Sequence, residues 1–81
     1  MNIKLYYLSY CLFCHRLKEF LEEKKINFEL VNVTDDLDLK EEIKTKTNHQ
    51  TFPQLVIDDE FVGDCSSVMD NFEELKEKYQ L

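Results

Sequence analysis

The stretch "IKLYYLSYCLFCHRLKEFL", Ile3 to Leu21, joins a β-rich apolar run to a helical pattern, and two cysteines lie at the junction. The run from Ile3 to Leu8 is nearly all apolar, which is typical of a central strand buried on both faces. From Phe13 onward the apolar residues recur at helical spacing. The stretch therefore predicts a strand that leads directly into a helix, with the two cysteines at the start of that helix.

The remainder of the chain predicts three further strands and two further helices. Asn27 to Val33 alternates like a strand. Thr34 to Lys46 begins with acids and ends with lysines, which is the polarity that a helix prefers. Gln54 to Asp58 and Glu60 to Val62 are predicted to pair as a hairpin, and apolar residues from Val68 to Tyr79 return to helical spacing.

The predicted order of elements is β-α-β-α-β-β-α. Two strands joined by a helix should lie parallel with a right-handed crossover, and the hairpin adds two antiparallel strands. We therefore expect an α/β fold with a four-stranded mixed sheet and three helices on its faces. The 81 residues correspond to a single domain, residues 1–81.

Composition and charge exclude several classes of function. The net charge of −7 argues against nucleic acid or an anionic membrane as the partner, because either would repel the chain. No apolar run approaches the roughly 20 residues of a membrane span, and Met1 to Leu8 is too short for a signal peptide. The three cysteines are an odd count, which disfavours a secreted disulfide scaffold. We expect a cytoplasmic monomer with reduced or catalytic thiols.

The spacing of Cys11 and Cys14 is shared by thiol–disulfide exchange, zinc ligation and c-type haem attachment. Cys11 opens the predicted helix, where unpaired N–H groups and the helix dipole favour a thiolate. Cys14 lies within the first turn, so its sulfur can reach that of Cys11 and close a disulfide. This asymmetry between an attacking and a resolving thiol is what redox chemistry requires.

The two metal alternatives are weaker. Zinc needs four ligands, and only Cys65 with His15 or His49 is available to complete a set, without a second C-x-x-C. "CLFCH" matches the haem pattern, yet a cytochrome c needs export, and here a strand leads straight into the motif. Thiol redox chemistry is therefore favoured, and no metal is expected.

Three segments carry a resemblance to a known family. "CLFCHR" from Cys11 resembles a C-P-Y-C active site, "TFPQLVID" from Thr51 resembles a T-V-P segment with its following strand, and "VGDCSSV" from Val62 resembles a G-G-C-D-D segment. In this order and at these separations they make the chain similar to the glutaredoxins over nearly its whole length. The resemblance implies a thioredoxin-like fold, glutathione as cosubstrate, and reduction of disulfide-bearing or glutathionylated proteins.

The resemblance also implies a glutathione site. Pro53 should be cis and face the active site, with the backbone N–H and C=O of Phe52 free to pair with glutathione. The start of the last helix should bind the γ-glutamyl carboxylate through backbone N–H groups. Ser67 and Asp70 resemble a capping box at this helix start. The implied glutathione-binding residues are Phe13, His49, Thr51, Phe52, Pro53, Cys65, Ser66 and Ser67.

The chain departs from the family at charged positions. Leu8 stands where many members carry Lys, and His49 stands where Gln or Arg is usual, so the cationic side of the groove is expected to be thin. Ser66 and Ser67 replace acids that pair with the ammonium of glutathione, which leaves that role to Asp64 or to no residue.

Several alternatives therefore stay open. One is a glutaredoxin-like electron donor, for example to ribonucleotide reductase, that is reduced by thioredoxin reductase. Another is a relative that binds an iron–sulfur cluster between two protomers with glutathione. Phe13 is either a wall of the site or part of the core, His15 is expected at the surface, and Cys65 either packs or forms mixed disulfides.

Overall fold

The computed structural model describes all residues, 1–81, and contains four strands and four helices. None of the helices has the length and apolar character that spanning a lipid bilayer requires. In chain order the elements are β1 Ile3–Tyr7, α1 Leu12–Glu23, β2 Glu29–Asn32, α2 Leu37–Thr47, β3 Gln54–Ile57, β4 Glu60–Gly63, α3 Cys65–Asp70 and α4 Phe72–Tyr79.

The sheet has the strand order β2-β1-β3-β4. β1 pairs with β2 in parallel and with β3 antiparallel, so that Leu5 lies between Leu30 and Leu55. β3 and β4 form the predicted hairpin, and both turn residues, Asp58 and Asp59, have positive φ angles of 49° and 67°. Such a two-residue turn matches the twist of the strands it joins. The predicted four-stranded mixed sheet is therefore confirmed.

Alternate residues of β1 face two separate cores, because successive side chains of a strand point to opposite faces of the sheet. Leu5 packs with residues of α1 and α3, including Leu17 and Val68. Tyr6 packs on the opposite face with Val33 and Ile43, the latter from α2. Helices thus cover both faces of the sheet. Helices α1 and α3 lie on the same face, and the two candidate cysteines are at the start of α1.

The last predicted helix differs in two details. Asn71 interrupts it into α3 and α4, and both its backbone N–H and its side-chain amide donate to the carbonyl oxygen of Ser67 at 3.0 Å. Asn favours such side-chain alternatives to regular helix. The predicted capping box of Ser67 and Asp70 is wrong, because Asp64 is the N-cap and its Oδ1 accepts the Ser67 N–H at 2.9 Å.

Candidate active site

Cys11 lies in the junction between β1 and α1, just beyond the C-terminal end of this inner strand. It is the N-cap of α1, with extended backbone, and its Sγ accepts the Cys14 N–H at 3.2 Å. Its side chain is half-buried and its thiol points toward the carbonyl oxygen of Phe52 at 3.9 Å. The sulfur therefore occupies the positive end of the helix dipole, where a negative charge is stabilised.

Cys14 is the more protected member of the pair. Its side chain is completely buried, and its Sγ accepts the backbone N–H of Leu8 at 3.4 Å. Burial, with a smaller contribution from the hydrogen bond to Cys11, raises the pKa of Cys14 to about 12. Its proton is therefore retained at neutral pH. Both thiols are free, and the pair consists of one partly accessible sulfur, in Cys11, and one buried sulfur, in Cys14.

A groove of about 270 Å³ lies next to this dithiol. Three separate parts of the chain form it: the first turn of α1, the loop before β3 and the start of α3. The Phe52–Pro53 peptide bond is cis, as the family resemblance implies. The lining residues are Phe13, Thr51, Phe52, Pro53, Asp64, Cys65 and Ser66.

Phe13 forms a wall of the groove rather than part of the core. Its side chain is 55% exposed, and the Arg16 guanidinium lies 5.7 Å from the centre of its ring. The buried face of α1 carries Cys14 and Leu17, and adjacent helix positions differ by about 100°. Of the two sequence-based interpretations of Phe13, the aromatic wall is the one that this geometry supports.

His49 lies beside the groove and not among its lining residues. Its Nε2 is 3.1 Å from the hydroxyl of Thr51, and its ring stacks on Phe61 with centroids 4.6 Å apart. Leu8, where the family often has Lys, packs against the Tyr6 core. Consequently the residues that line the groove include no cationic side chain.

The start of α3 presents free backbone donors to the groove. The Ser67 N–H is occupied by Asp64, and Ser67 does not line the groove. The N–H groups of Cys65 and Ser66 make no hydrogen bond within the chain, as expected for the first residues of a helix. The hydrogen bond from the Ser67 N–H lowers the pKa of Asp64, which keeps this side chain a carboxylate.

The remaining candidates are accounted for by their surroundings. Cys65 is 5% exposed, its thiol contacts the Met69 sulfur at 3.6 Å, and burial raises its pKa. His15 is exposed, as expected, with Nε2 2.7 Å from the Ser9 carbonyl oxygen. Gln54, for which no role was predicted from the sequence, is fully buried beneath the loop before β3. The available signal was a polar residue that directly follows Pro53 in an otherwise apolar strand.

Disulfide exchange requires an accessible sulfur that attacks a disulfide and a second sulfur that resolves the mixed disulfide so formed, and the arrangement of Cys11 and Cys14 matches this requirement. They occupy the first turn of a helix that follows a strand of a thioredoxin-like sheet. Fold and site together define the molecule as a thiol–disulfide oxidoreductase.

The sequence profile of the glutaredoxin family matches residues 3–62, and the chain belongs to that family. It is 28% identical to glutaredoxin 3 of Escherichia coli over 67 residues, which cover 83% of this chain and 81% of the relative. The solution structure of glutaredoxin from Brucella melitensis superimposes with a TM-score of 0.81 at 26% identity, over 100% of this chain and 88% of that one.

A third comparison concerns the fold alone. The crystal structure of a buckwheat glutaredoxin–glutathione complex superimposes with a TM-score of 0.80 at 20% identity. The likeness covers 93% of this chain and 71% of the buckwheat chain.

Proposed function

We propose that this protein is a glutathione-dependent oxidoreductase that reduces protein disulfides and protein–glutathione mixed disulfides through Cys11 and Cys14. The observation that carries the proposal is the set of unpaired backbone groups around Cys11. The N–H groups of Phe52, Cys65 and Ser66 all lack partners within the chain, and all three residues line the same groove. A cytoplasmic location, which the odd cysteine count favours, is part of this proposal.

Each part of glutathione has a counterpart in the groove. The backbone of Phe52 suits the cysteinyl residue of the tripeptide, which would pair with it as a short strand. The N–H groups of Cys65 and Ser66 suit the γ-glutamyl carboxylate, and the Asp64 carboxylate suits the neighbouring ammonium. Phe13 would cover the thiol end as a wall. The structurally similar buckwheat glutaredoxin forms a complex with glutathione, which supports glutathione as the ligand of this groove.

The proposed reaction begins with the thiolate of Cys11. It attacks one sulfur of the target disulfide, a new S–S bond forms with Cys11, and the original S–S bond breaks to release a thiolate that takes up a proton. When the target is a glutathionylated protein, the protein thiol leaves and glutathione stays on Cys11. A second glutathione thiolate then attacks this mixed disulfide, which yields glutathione disulfide and restores the Cys11 thiolate.

Cys14 is needed for the reduction of protein disulfides. When Cys11 is joined to a protein, the Cys14 sulfur attacks the Cys11 sulfur, a Cys11–Cys14 bond forms and the Cys11–protein bond breaks, and the Cys14 proton passes to the departing protein thiolate. The Cys11–Cys14 disulfide is then reduced by two glutathione molecules, which supply the two electrons and leave as glutathione disulfide. The raised pKa of Cys14 keeps it from competing with Cys11 for the first attack.

A second candidate is an electron donor, for example to ribonucleotide reductase, that is itself reduced by thioredoxin reductase. The absence of a cationic side chain among the groove residues favours it, because the glycyl carboxylate of glutathione would lack a charged partner.

A coupled NADPH assay separates the two candidates. The protein is supplied with glutathione and glutathione reductase in one arm, and with thioredoxin reductase alone in the other. Turnover of a glutathionylated peptide in the first arm only is the expected result. Turnover in the second arm only would reject glutathione as the reductant, and a brown preparation without turnover in either arm would indicate an iron–sulfur carrier.

A further inference from the structure

Gln54 is the only buried residue with a polar or charged side chain, and it is completely inaccessible to solvent. It directly follows Pro53 and begins β3. Its Oε1 has no hydrogen-bond partner in the chain. A buried acceptor without a partner destabilises the fold. We therefore expect the amide Nε2 of Gln54 to make hydrogen bonds that offset this cost.

The Nε2 of Gln54 supplies that compensation by binding the loop before β3. It donates to the carbonyl oxygen of His49 at 2.8 Å and to that of Thr51 at 3.1 Å. Both carbonyls are acceptors only, so the opposite orientation of the amide would place an oxygen against two oxygens. The side chain therefore holds two peptide groups of this loop from below.

The second of these hydrogen bonds determines where the Phe52 N–H points. The Thr51 carbonyl and the Phe52 N–H belong to one peptide group, which is planar and trans. In a trans peptide the C=O and N–H point in opposite directions. Because Gln54 draws the carbonyl toward the core, the N–H is turned toward the groove, where it has no partner in the chain.

We propose that Gln54 is a positioning residue, which fixes the Thr51–Phe52 peptide group so that the Phe52 N–H faces the substrate backbone next to Cys11. Gln54 touches neither the groove nor the reacting sulfurs, and it acts through Phe52 alone. The inference rests on the proposed function for the identity of the ligand, glutathione, while the orientation of the peptide group is independent of it.

The test uses the reduced full chain and substitutions at two positions of β3. Gln54→Met keeps the approximate shape of the side chain and removes both donated hydrogen bonds. Ile57→Val is the matched control, because Ile57 is equally buried at the opposite end of the strand and does not contact the loop through hydrogen bonds. The measurements are the residual dipolar coupling of the Phe52 N–H and the dissociation constant of S-methylglutathione, which cannot exchange disulfides.

We expect Gln54→Met to change the Phe52 coupling and to weaken S-methylglutathione binding about five- to tenfold, the worth of one backbone hydrogen bond. Ile57→Val should change neither. Gln54→Glu provides rescue, because a buried carboxylic acid stays protonated and its O–H can donate to one of the two carbonyls. The Phe52 coupling and the S-methylglutathione affinity of Gln54→Glu should lie between those of the wild type and those of Gln54→Met. This variant also tests the proposal if Gln54→Met does not fold.

An unchanged Phe52 coupling in Gln54→Met would overturn the proposal. A changed coupling with wild-type affinity would also overturn it, because the N–H would then have no part in binding. If the wild type itself does not bind S-methylglutathione but the coupling still changes in Gln54→Met, the positioning role is supported and the proposed function fails.

Discussion

Helices α1 and α3 begin on either side of the groove with the same kind of side-chain cap and with different chemistry. Each is preceded by an extended N-cap residue whose side chain accepts the N–H three positions later: Cys11 Sγ from Cys14 at 3.2 Å, and Asp64 Oδ1 from Ser67 at 2.9 Å. The sulfur can leave this hydrogen bond to form a covalent bond, whereas the carboxylate cannot. In the proposed function, the start of α1 therefore reacts and the start of α3 binds the ligand.

The cysteines that follow the two caps, Cys14 and Cys65, differ in the sulfur that lies next to each of them. Cys14 lies against Cys11, so its buried thiol has a sulfur with which it can exchange. Cys65 lies against the thioether of Met69, which cannot form a disulfide. Both thiols are buried, yet only Cys14 has a neighbouring sulfur that suits the proposed resolving role, whereas Cys65 packs against a thioether.

The largest effect is expected from Cys11→Ser. It should lower turnover in the coupled assay by more than about a thousandfold, because the nucleophile is lost. The fold should persist, since Ser is a favourable N-cap and can accept the same N–H. Thermal unfolding is the control. Wild-type turnover in this variant, together with its loss in Cys14→Ser, would reverse the roles of the two cysteines.

Cys14→Ser should separate the two substrate classes. Reduction of a protein disulfide that needs a resolving thiol should disappear, while removal of glutathione from a glutathionylated peptide should continue through Cys11 and free glutathione. A cost of about 1–3 kcal/mol in the free energy of unfolding is expected from the hydroxyl in a buried site. Equal loss of both reactions, in protein that is still folded, would contradict the assignment.

Asp64→Asn should weaken recognition of the glutathione ammonium, with only a small loss of stability at the α3 cap. Asn keeps a capping oxygen for the Ser67 N–H and removes the charge. The wild type should bind S-methylglutathione several-fold more tightly than a form of this ligand that lacks the α-amino group. In Asp64→Asn the ratio of these two affinities should fall to about one. Ser66→Ala, in the same turn and without loss of charge, should keep the wild-type ratio. A ratio that is unchanged in Asp64→Asn would exclude Asp64 as the ammonium partner.

The smallest effect concerns the acid stability of α3. Because the folded state lowers the pKa of Asp64 from its ordinary value of 3.8, the carboxylate stabilises the fold above that value. This contribution is lost as the pH falls through the still lower pKa of the folded state. Asp64→Ala should cost about 1 kcal/mol at neutral pH. The difference between wild type and Asp64→Ala in urea unfolding should shrink below pH 3.8; a constant difference would show that the charge is irrelevant to the cap.

The parts of the site that were predicted from the sequence are those with local causes. The relation between Cys11 and Cys14 follows from their spacing at a helix start. The interruption at Asn71 was missed, because the apolar spacing from Val68 to Tyr79 continues across it and masks the change.

The sequence by itself determined the order of strands and helices up to the break at Asn71, the candidate pair Cys11 and Cys14, and the family, because periodicity and short motifs act over a few neighbouring residues. Only the tertiary structure decided that Phe13 faces the groove, that His49 bonds to Thr51 beside it, and that Gln54 holds the loop from below. These facts depend on how α1 and the loop before β3 lie against the sheet. Contacts between residues distant in the chain are set by packing of whole elements, and no local pattern encodes them.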